Sequence, residues 1–243
     1  MKSYTDLVQD KANIRIGEEG EDGVNLGGKV VIVTGANSGL GKEVAIYAAS
    51  KNAKLYMICR SPDKAEAARK EILELSKADP KQIEIVLCDV SEQSQVREAA
   101  SKIQKTESEI HCLVCNAGVL LNDQMNSSEG VEVTFASHLL CGTFLLTSLL
   151  LPQLKPAPDG RVVVVTSGGM YNTRIPEWDI MTSYSYADKK PDKFKYDGTM
   201  AYAYAKRGQV VLAEEWSKQY KDVKFVTVHP GWTDTPAVDE AFG

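Results

Sequence analysis

Tyr202 and Lys206 stand four residues apart in the stretch AYAYAKRGQVVL, residues 201–212. On a helix that spacing puts both side chains on one face. A free phenol has a pKa of about 10 and is a sluggish proton donor at neutral pH. An ammonium group beside it favours the phenolate and lowers that value. A tyrosine so placed can give a proton to a carbonyl oxygen during reduction, or take one from an alcohol in the reverse direction. The same pair also fits an ordinary half-buried tyrosine with a lysine neighbour. Tyr204, two residues from Lys206, faces away and is given no part. A second feature lies near the start, in VVIVTGANSGLGKEVA, residues 30–45, where Gly35, Gly39 and Gly41 fall at the end of an apolar run. Glycines there let the backbone turn sharply and approach a phosphate closely, and a helix beginning at that turn offers free N–H groups and a partial positive charge. A plain strand-to-helix turn has the same composition.

Both features need elements to hold them. Strand-like runs occur at 29–35 (KVVIVTG), 54–59 (KLYMIC), 83–89 (IEIVLCD), 112–118 (CLVCNAG), 161–167 (RVVVVTS) and 224–231 (KFVTVHPG). Helical patterns separate them at 41–52, 64–77, 94–106, 130–154 and 201–219. The strand runs are continuously apolar, as in a parallel sheet with helices on both faces. Strict alternation of strand and helix predicts an α/β, doubly wound, Rossmann-type fold. The expected organisation is a polar arm over residues 1–28 and one domain over 29–243. Residues 170–198 interrupt the rhythm with a polar and aromatic stretch after a strand's carboxyl end, where ligands of α/β folds sit, so they read as a substrate-facing insertion. Its Trp178, Met181, Tyr184 and Tyr186 suit an apolar ligand or packing within the loop.

The chain has 243 residues, 43% of them hydrophobic, and a net charge of −5. That sign argues against nucleic acid or an anionic membrane as the main partner. No uninterrupted apolar run reaches membrane-spanning length; LLCGTFLLTSLLL, residues 139–151, reads as a core helix. Five cysteines in or beside apolar runs fit buried, reduced thiols of an intracellular, cytoplasmic protein. Cys112 and Cys115 form a C-x-x-C at a strand's end, not at a helix start, so a redox pair is not expected. No second Cys/His cluster accompanies His111, and no metal site is expected.

Six motifs, in order from residue 29 to residue 236, resemble the short-chain dehydrogenase/reductase family. Thr34–Gly41 resembles its T-G-x-x-x-G-x-G phosphate loop. The match carries cofactor contacts to Gly35, Asn37, Ser38, Gly39 and Leu40. Asp89 and Val90 resemble the strand end that meets adenine. Asn116, Ala117 and Gly118 resemble the N-A-G element lining the cofactor, with Cys115 where a second Asn is common. Ser167 falls where the family carries a catalytic serine, and Tyr202 and Lys206 match Y-x-x-x-K. Pro230, Gly231, Thr233 and Thr235 match the turn beside the nicotinamide. The resemblance implies Tyr202 as general acid/base, Ser167 holding the substrate oxygen and Lys206 also binding the nicotinamide ribose.

Strand two ends in MICRS, without the carboxylate that accepts a ribose 2′-hydroxyl. Arg60 there can form a charged fork with a 2′-phosphate, with Asn37 and Ser38 adding hydrogen bonds. NADP(H) is therefore expected over NAD. The expected reaction interconverts a carbonyl and an alcohol on a lipophilic small molecule, with a homodimer as a further option. The alternative is a dinucleotide-binding module with little turnover. Two departures from the family pattern favour that alternative. In FASHLLCGTFLLT, residues 135–147, His138 replaces the Asn of a proton relay and the segment is one residue longer. His138 reads either as a polar relay or as a core histidine. The sequence also stops eight residues past Thr235, where the family continues into a further strand, so strand six is expected to be an open edge.

Overall fold

Val30–Thr34 (β1) is buried at all five positions. The computed structural model describes residues 23–176 and 195–231. Along β1, Val30 and Ile32 enter one apolar cluster while Val31 and Val33 enter another. Successive strand side chains point to opposite faces, so both faces of this strand are covered. Burying each such side chain contributes roughly 1.5–3 kcal/mol.

The other strands are β2 (Lys54–Cys59), β3 (Ile83–Leu87), β4 (Cys112–Cys115), β5 (Arg161–Val165) and β6 (Lys224–Val228). They form one sheet in the order β3-β2-β1-β4-β5-β6, parallel at every pairing. That order is the doubly wound arrangement, with its switch point between β1 and β4. The helices are α1 (Gly39–Ser50), α2 (Pro62–Ser76), α3 (Gln93–Thr106), α4 (Val133–Leu154) and α5 (Gly198–Gln219). Ala45, Ala48 and Ala49 of α1 and Ala65 and Ala68 of α2 let those two helices lie close on one face. Val96 and Ile103 of α3, with Leu146, Leu150 and Leu154 of α4, fill the other. Trp216 of α5 stacks on Phe144 and Phe225, fixing α5 against α4 and β6.

Helix α4 is 22 residues long and apolar enough to cross a membrane by length and composition, longer than the 13-residue run read from the sequence. Leu146, Leu150 and Leu154 are fully buried, so it serves as a core helix. Its middle, Ala136–Leu145, is a π-helix. A π-helical stretch accommodates an extra residue while the turns on either side stay α-helical, which suits a segment read as one residue longer than the family pattern. Gly142 suits the bulge, because a Cβ at that position would stand 1.9 Å from the Ser137 carbonyl oxygen.

Each strand except β2 stops one to three residues before its apolar run does. Gly35, Cys88–Asp89, Asn116–Gly118, Thr166–Ser167 and His229–Gly231 thus leave the sheet at its carboxyl edge and line the crevice. Among the described residues β6 pairs only with β5, and its Val226 and Val228 are 43% and 40% exposed. Of the arm, residues 1–22 lie outside the described residues; Leu26 is tied to the domain by its N–H to the Lys51 carbonyl, 2.7 Å. Most of the insertion, including Trp178, Met181, Tyr184 and Tyr186, also lies outside them.

Candidate active site

The glycine turn is packed against the N-A-G segment rather than standing free. Gly35 has φ 68°, and a Cβ there would meet Asn116 and Ala117 at 3.1 Å. A Cβ on Gly41 would lie 2.3 Å from the Gly35 carbonyl oxygen. Thr34 joins the two walls. Its Oγ1 donates to the Val114 carbonyl and accepts from the N–H groups of Asn116 and Ala117, both at 2.9 Å. Asn116 Nδ2 donates back to the Thr34 carbonyl at 3.0 Å. Ser38 precedes α1 in an extended conformation but makes no side-chain cap, and the first turn holds no acid. The amides of Gly39, Leu40 and Gly41 are therefore available to an anion, so this cradle fits a pyrophosphate.

Just beyond the carboxyl end of β3, Asp89 Oδ1 accepts from Ser91 N and Ser91 Oγ, at 2.9 and 2.7 Å. Among the described residues its second oxygen accepts no hydrogen bond. Val90 beside it is buried. Asn37, Ser38, Lys64, Ala67, Ala68 and Glu71 line a recess of about 340 Å³ between α1 and α2. Arg60 stands just beyond β2, exposed, and is not part of that lining. Lys64, which the sequence reading did not single out, lines this recess together with Glu71. Its signal was available: it lies four residues after Arg60, in the first turn of the helix that Ser61 caps.

Ser167, Tyr202 and Lys206 come together at the carboxyl ends of β5 and β6. Ser167 opens a short 3-10 turn, Gly168–Asn172, and its Oγ accepts from Gly169 N at 3.3 Å. Tyr202 lies one turn into α5, half-buried. Lys206 is 3% exposed, and its Nζ donates to the Val165 carbonyl at 2.6 Å. That Nζ lies 5.6 Å from the centroid of the Tyr202 ring. The expected depression of the Tyr202 pKa by Lys206 does not emerge. Burial pushes the phenol up, and hydrogen bonding from Ser167 draws it back in part. Burial also pulls Lys206 down to about 7. The amine donates to a β5 carbonyl, and among the described residues it makes no hydrogen bond to the phenol oxygen.

His138 is 2% exposed and sits between the Gly118–Val119 segment and Tyr202. Its Nε2 lies 3.0 Å from Val119 N and 2.8 Å from the Val119 carbonyl oxygen. Its ring meets Tyr202 edge-on at 5.2 Å. Gly118 is required beside it, since a Cβ there would lie 1.7 Å from His138 Cε1. Burial and the charge of Lys206 hold this imidazole well below its ordinary pKa, so it is neutral at pH 7. Among the described residues its buried Nδ1 has no hydrogen-bond partner.

The turn after β6 brings Pro230 and Gly231 to the same end, with Gly231 at φ 80°. A Cβ on Gly168 would lie 3.4 Å from the His229 ring, which places this turn beside Ser167. Thr233 and Thr235 lie outside the described residues. All five cysteines are free, and burial raises each thiol, Cys112 to about 11 and Cys115 to about 12. These two face opposite sides of β4, one in each core cluster, as C-x-x-C on a strand requires.

Residues 29–184 match the family model described as short chain dehydrogenase. The chain belongs to the short-chain dehydrogenase family. Human dehydrogenase/reductase SDR family member 12 is 36% identical over 218 residues, covering 90% of this chain and 65% of that protein. Human retinol dehydrogenase 12 is 34% identical over 212 residues, covering 86% of this chain and 62% of the relative. The chain thus spans less than two thirds of the length of either relative. Among solved structures, levodione reductase aligns with a TM-score of 0.67 at 23% identity, over 89% of this chain and 76% of that one. A metagenomic short-chain oxidoreductase in complex with NADP aligns with a TM-score of 0.63 at 24% identity, over 85% and 84%. At those identities the two structures speak for the short-chain dehydrogenase fold alone.

Proposed function

We propose that the protein is an NADP(H)-dependent oxidoreductase that interconverts a carbonyl and an alcohol on a lipophilic small molecule. The observation that carries the reading is the convergence of Ser167, Tyr202 and Lys206 at the crevice whose other end is the anion cradle of Gly35–Gly41. When bound, the reduced nicotinamide supplies a hydride. The amides of the first turn of α1 hold the pyrophosphate, and Asp89 accepts from the adenine. Asn116–Gly118 and Pro230–Gly231 form the floor and rim of the nicotinamide end, with Thr233 and Thr235 carried over from the family motif. Ser167 donates to the substrate oxygen and fixes its position. Tyr202 delivers the proton to that oxygen, or removes it in the oxidative direction. Lys206 binds the ribose.

Two cations support NADP(H) over NAD(H). Arg60 follows β2, whose end carries no carboxylate, and Lys64 lines the recess beside Asn37 and Ser38, where Glu71 is the one acid in the lining. An Arg60→Ala variant is expected to bind NADPH more weakly by ~1.5–3 kcal/mol, the worth of a charged hydrogen bond, while NADH changes little. Lys64→Ala shifts the preference in the same direction. Calorimetric titration of both nucleotides checks this; an unchanged preference in both variants removes the assignment.

The lipophilic substrate class is supported by the name of one relative, retinol dehydrogenase 12. Turnover with all-trans-retinal, a steroid ketone and an aromatic aldehyde, each with NADPH, tests it. Free, buried thiols support a reducing, cytoplasmic setting. The exposed valines of β6 support a homodimer, which light scattering tests. A dinucleotide-binding role with little turnover has one observation in its favour. Lys206 is bonded to Val165 rather than to the phenol. NADPH binding without turnover of any of those carbonyls would select it.

A further inference from the structure

Glu132 is a carboxylate that the chemistry above does not use, yet it is 0% exposed. It precedes α4 and caps it: Oε1 accepts from Thr134 N and Oε2 from Phe135 N, both at 2.7 Å. Ser, Thr, Asp and Asn do this work with shorter side chains. Among the described residues no cation pairs with it, and burial raises its pKa against those hydrogen bonds. Burying a carboxylate in this way is costly unless its oxygens are fully engaged. The remaining engagement is distant in sequence: Tyr196 OH donates to Glu132 Oε1 at 3.2 Å.

Tyr196 stands six residues before Tyr202, at the point where the long connection from β5 enters α5. The next two residues are fixed as well. Asp197 caps α5 by accepting from Met200 N at 3.0 Å. Gly198 packs its backbone on the segment after N-A-G; a Cβ there would lie 1.7 Å from the Leu121 carbonyl oxygen. The long connection leaves the start of α5 undetermined by chain length. Glu132 adds a tie that is long-range in sequence, linking Tyr196, two residues before α5, to the first turn of α4.

We infer that Glu132 is a positioning residue for Tyr202, acting through the Tyr196 hydroxyl to set where α5 begins. The inference rests on the catalytic reading of Tyr202 given above. Loss of the tether lets the first turn of α5 move against Ser167. The phosphate cradle, at the other end of the crevice, is untouched.

Tyr196→Phe removes only the hydroxyl, and Glu132→Gln keeps the shape of the cap. Three measurements test the pair. The first is kcat with NADPH and all-trans-retinal, 4-nitrobenzaldehyde and a steroid ketone. The second is the NADPH dissociation constant from fluorescence titration. The third is hydrogen exchange of the amides in residues 199–204. Tyr196→Phe is expected to lower kcat about tenfold, leave NADPH affinity within twofold, and speed exchange of those amides about tenfold. Exchange in α3 stays unchanged. Glu132→Gln, whose amide nitrogen cannot accept from the groups bonded to Glu132, is expected to do at least as much, and the double variant to cost less than the sum of the two, because they share the Tyr196 link. Wild-type kcat and exchange in Tyr196→Phe overturn the inference, as do additive effects in the double variant. Should Glu132→Gln fail to fold, Tyr196→Phe decides alone. If wild type reduces none of the three carbonyls, the proposed function fails while exchange in residues 199–204 still reads the tether.

Discussion

Tyr202→Phe is expected to lower carbonyl reduction by roughly 10²–10⁴-fold, the range for removing a positioned general acid. NADPH affinity stays at the wild-type value. The substitution deletes one hydroxyl and keeps the ring, so the edge contact with His138 and the position over Lys206 survive. The phosphate cradle lies on α1 and the 116–117 segment, which make no use of the phenol. A stopped assay following NADPH oxidation, beside a binding titration of the same preparation, separates chemistry from cofactor capture. Equal turnover in wild type and Tyr202→Phe removes Tyr202 as the acid. The rise that burial gives the phenol sharpens the expectation. A phenol that stays protonated through neutral pH is poised as a donor in reduction. As a base for alcohol oxidation it first has to lose its proton, so the oxidative rate of wild type should climb with pH across the alkaline range while the reductive rate does not.

The sequence made the architecture legible because its signals were local and repeated. Continuous runs such as VVIVT and RVVVV can be buried only in a sheet covered on both sides, and the intervening Ala-rich or amphipathic stretches supply the covers. The overrun of those runs past the strand ends carried information too. Gly35, Asn116–Gly118, Ser167 and Gly231 read as strand in the sequence, but they are the residues that leave the sheet and build the crevice. Tyr202 and Lys206 were readable as a pair because i and i+4 share a face. The net effect on the phenol was not, since it depends on burial and on Val165, a carbonyl 41 residues away that accepts the amine's hydrogen bond. Glu132 escaped for the same reason: its partner Tyr196 is 64 residues distant. The extra residue at 135–147 was visible as a count, but where a helix stores an insertion is decided by packing, here at His138 against Val119 and Tyr202.

Lys206 also couples function to stability, and its substitution should have opposite effects on the two. In the folded chain burial lowers its pKa to about 7, from an ordinary value of about 10.4 in the unfolded chain. Between those values the unfolded chain holds a proton that the folded chain has released. Stability therefore rises with pH through this window, and below pH 7 the full cost of a buried ammonium is present. Lys206→Met keeps most of the side-chain volume and removes the charge. Turnover is expected to fall by orders of magnitude, while the melting temperature without nucleotide should equal or exceed that of wild type near pH 7. At ~2–4 °C for each kcal/mol in a chain of this size, the gap should be several degrees near pH 7 and narrow toward pH 9. Raised thiols such as Cys88 and Cys141, both near 12, act in the other direction. They titrate first in the unfolded chain and weaken the fold above pH 8.5, equally in both proteins. The difference between the two melting curves thus isolates Lys206. A gap independent of pH would mean that the amine stays charged in the folded chain, held by Val165 and by acceptors in the crevice, and that Tyr202 has a full ammonium beneath its ring after all.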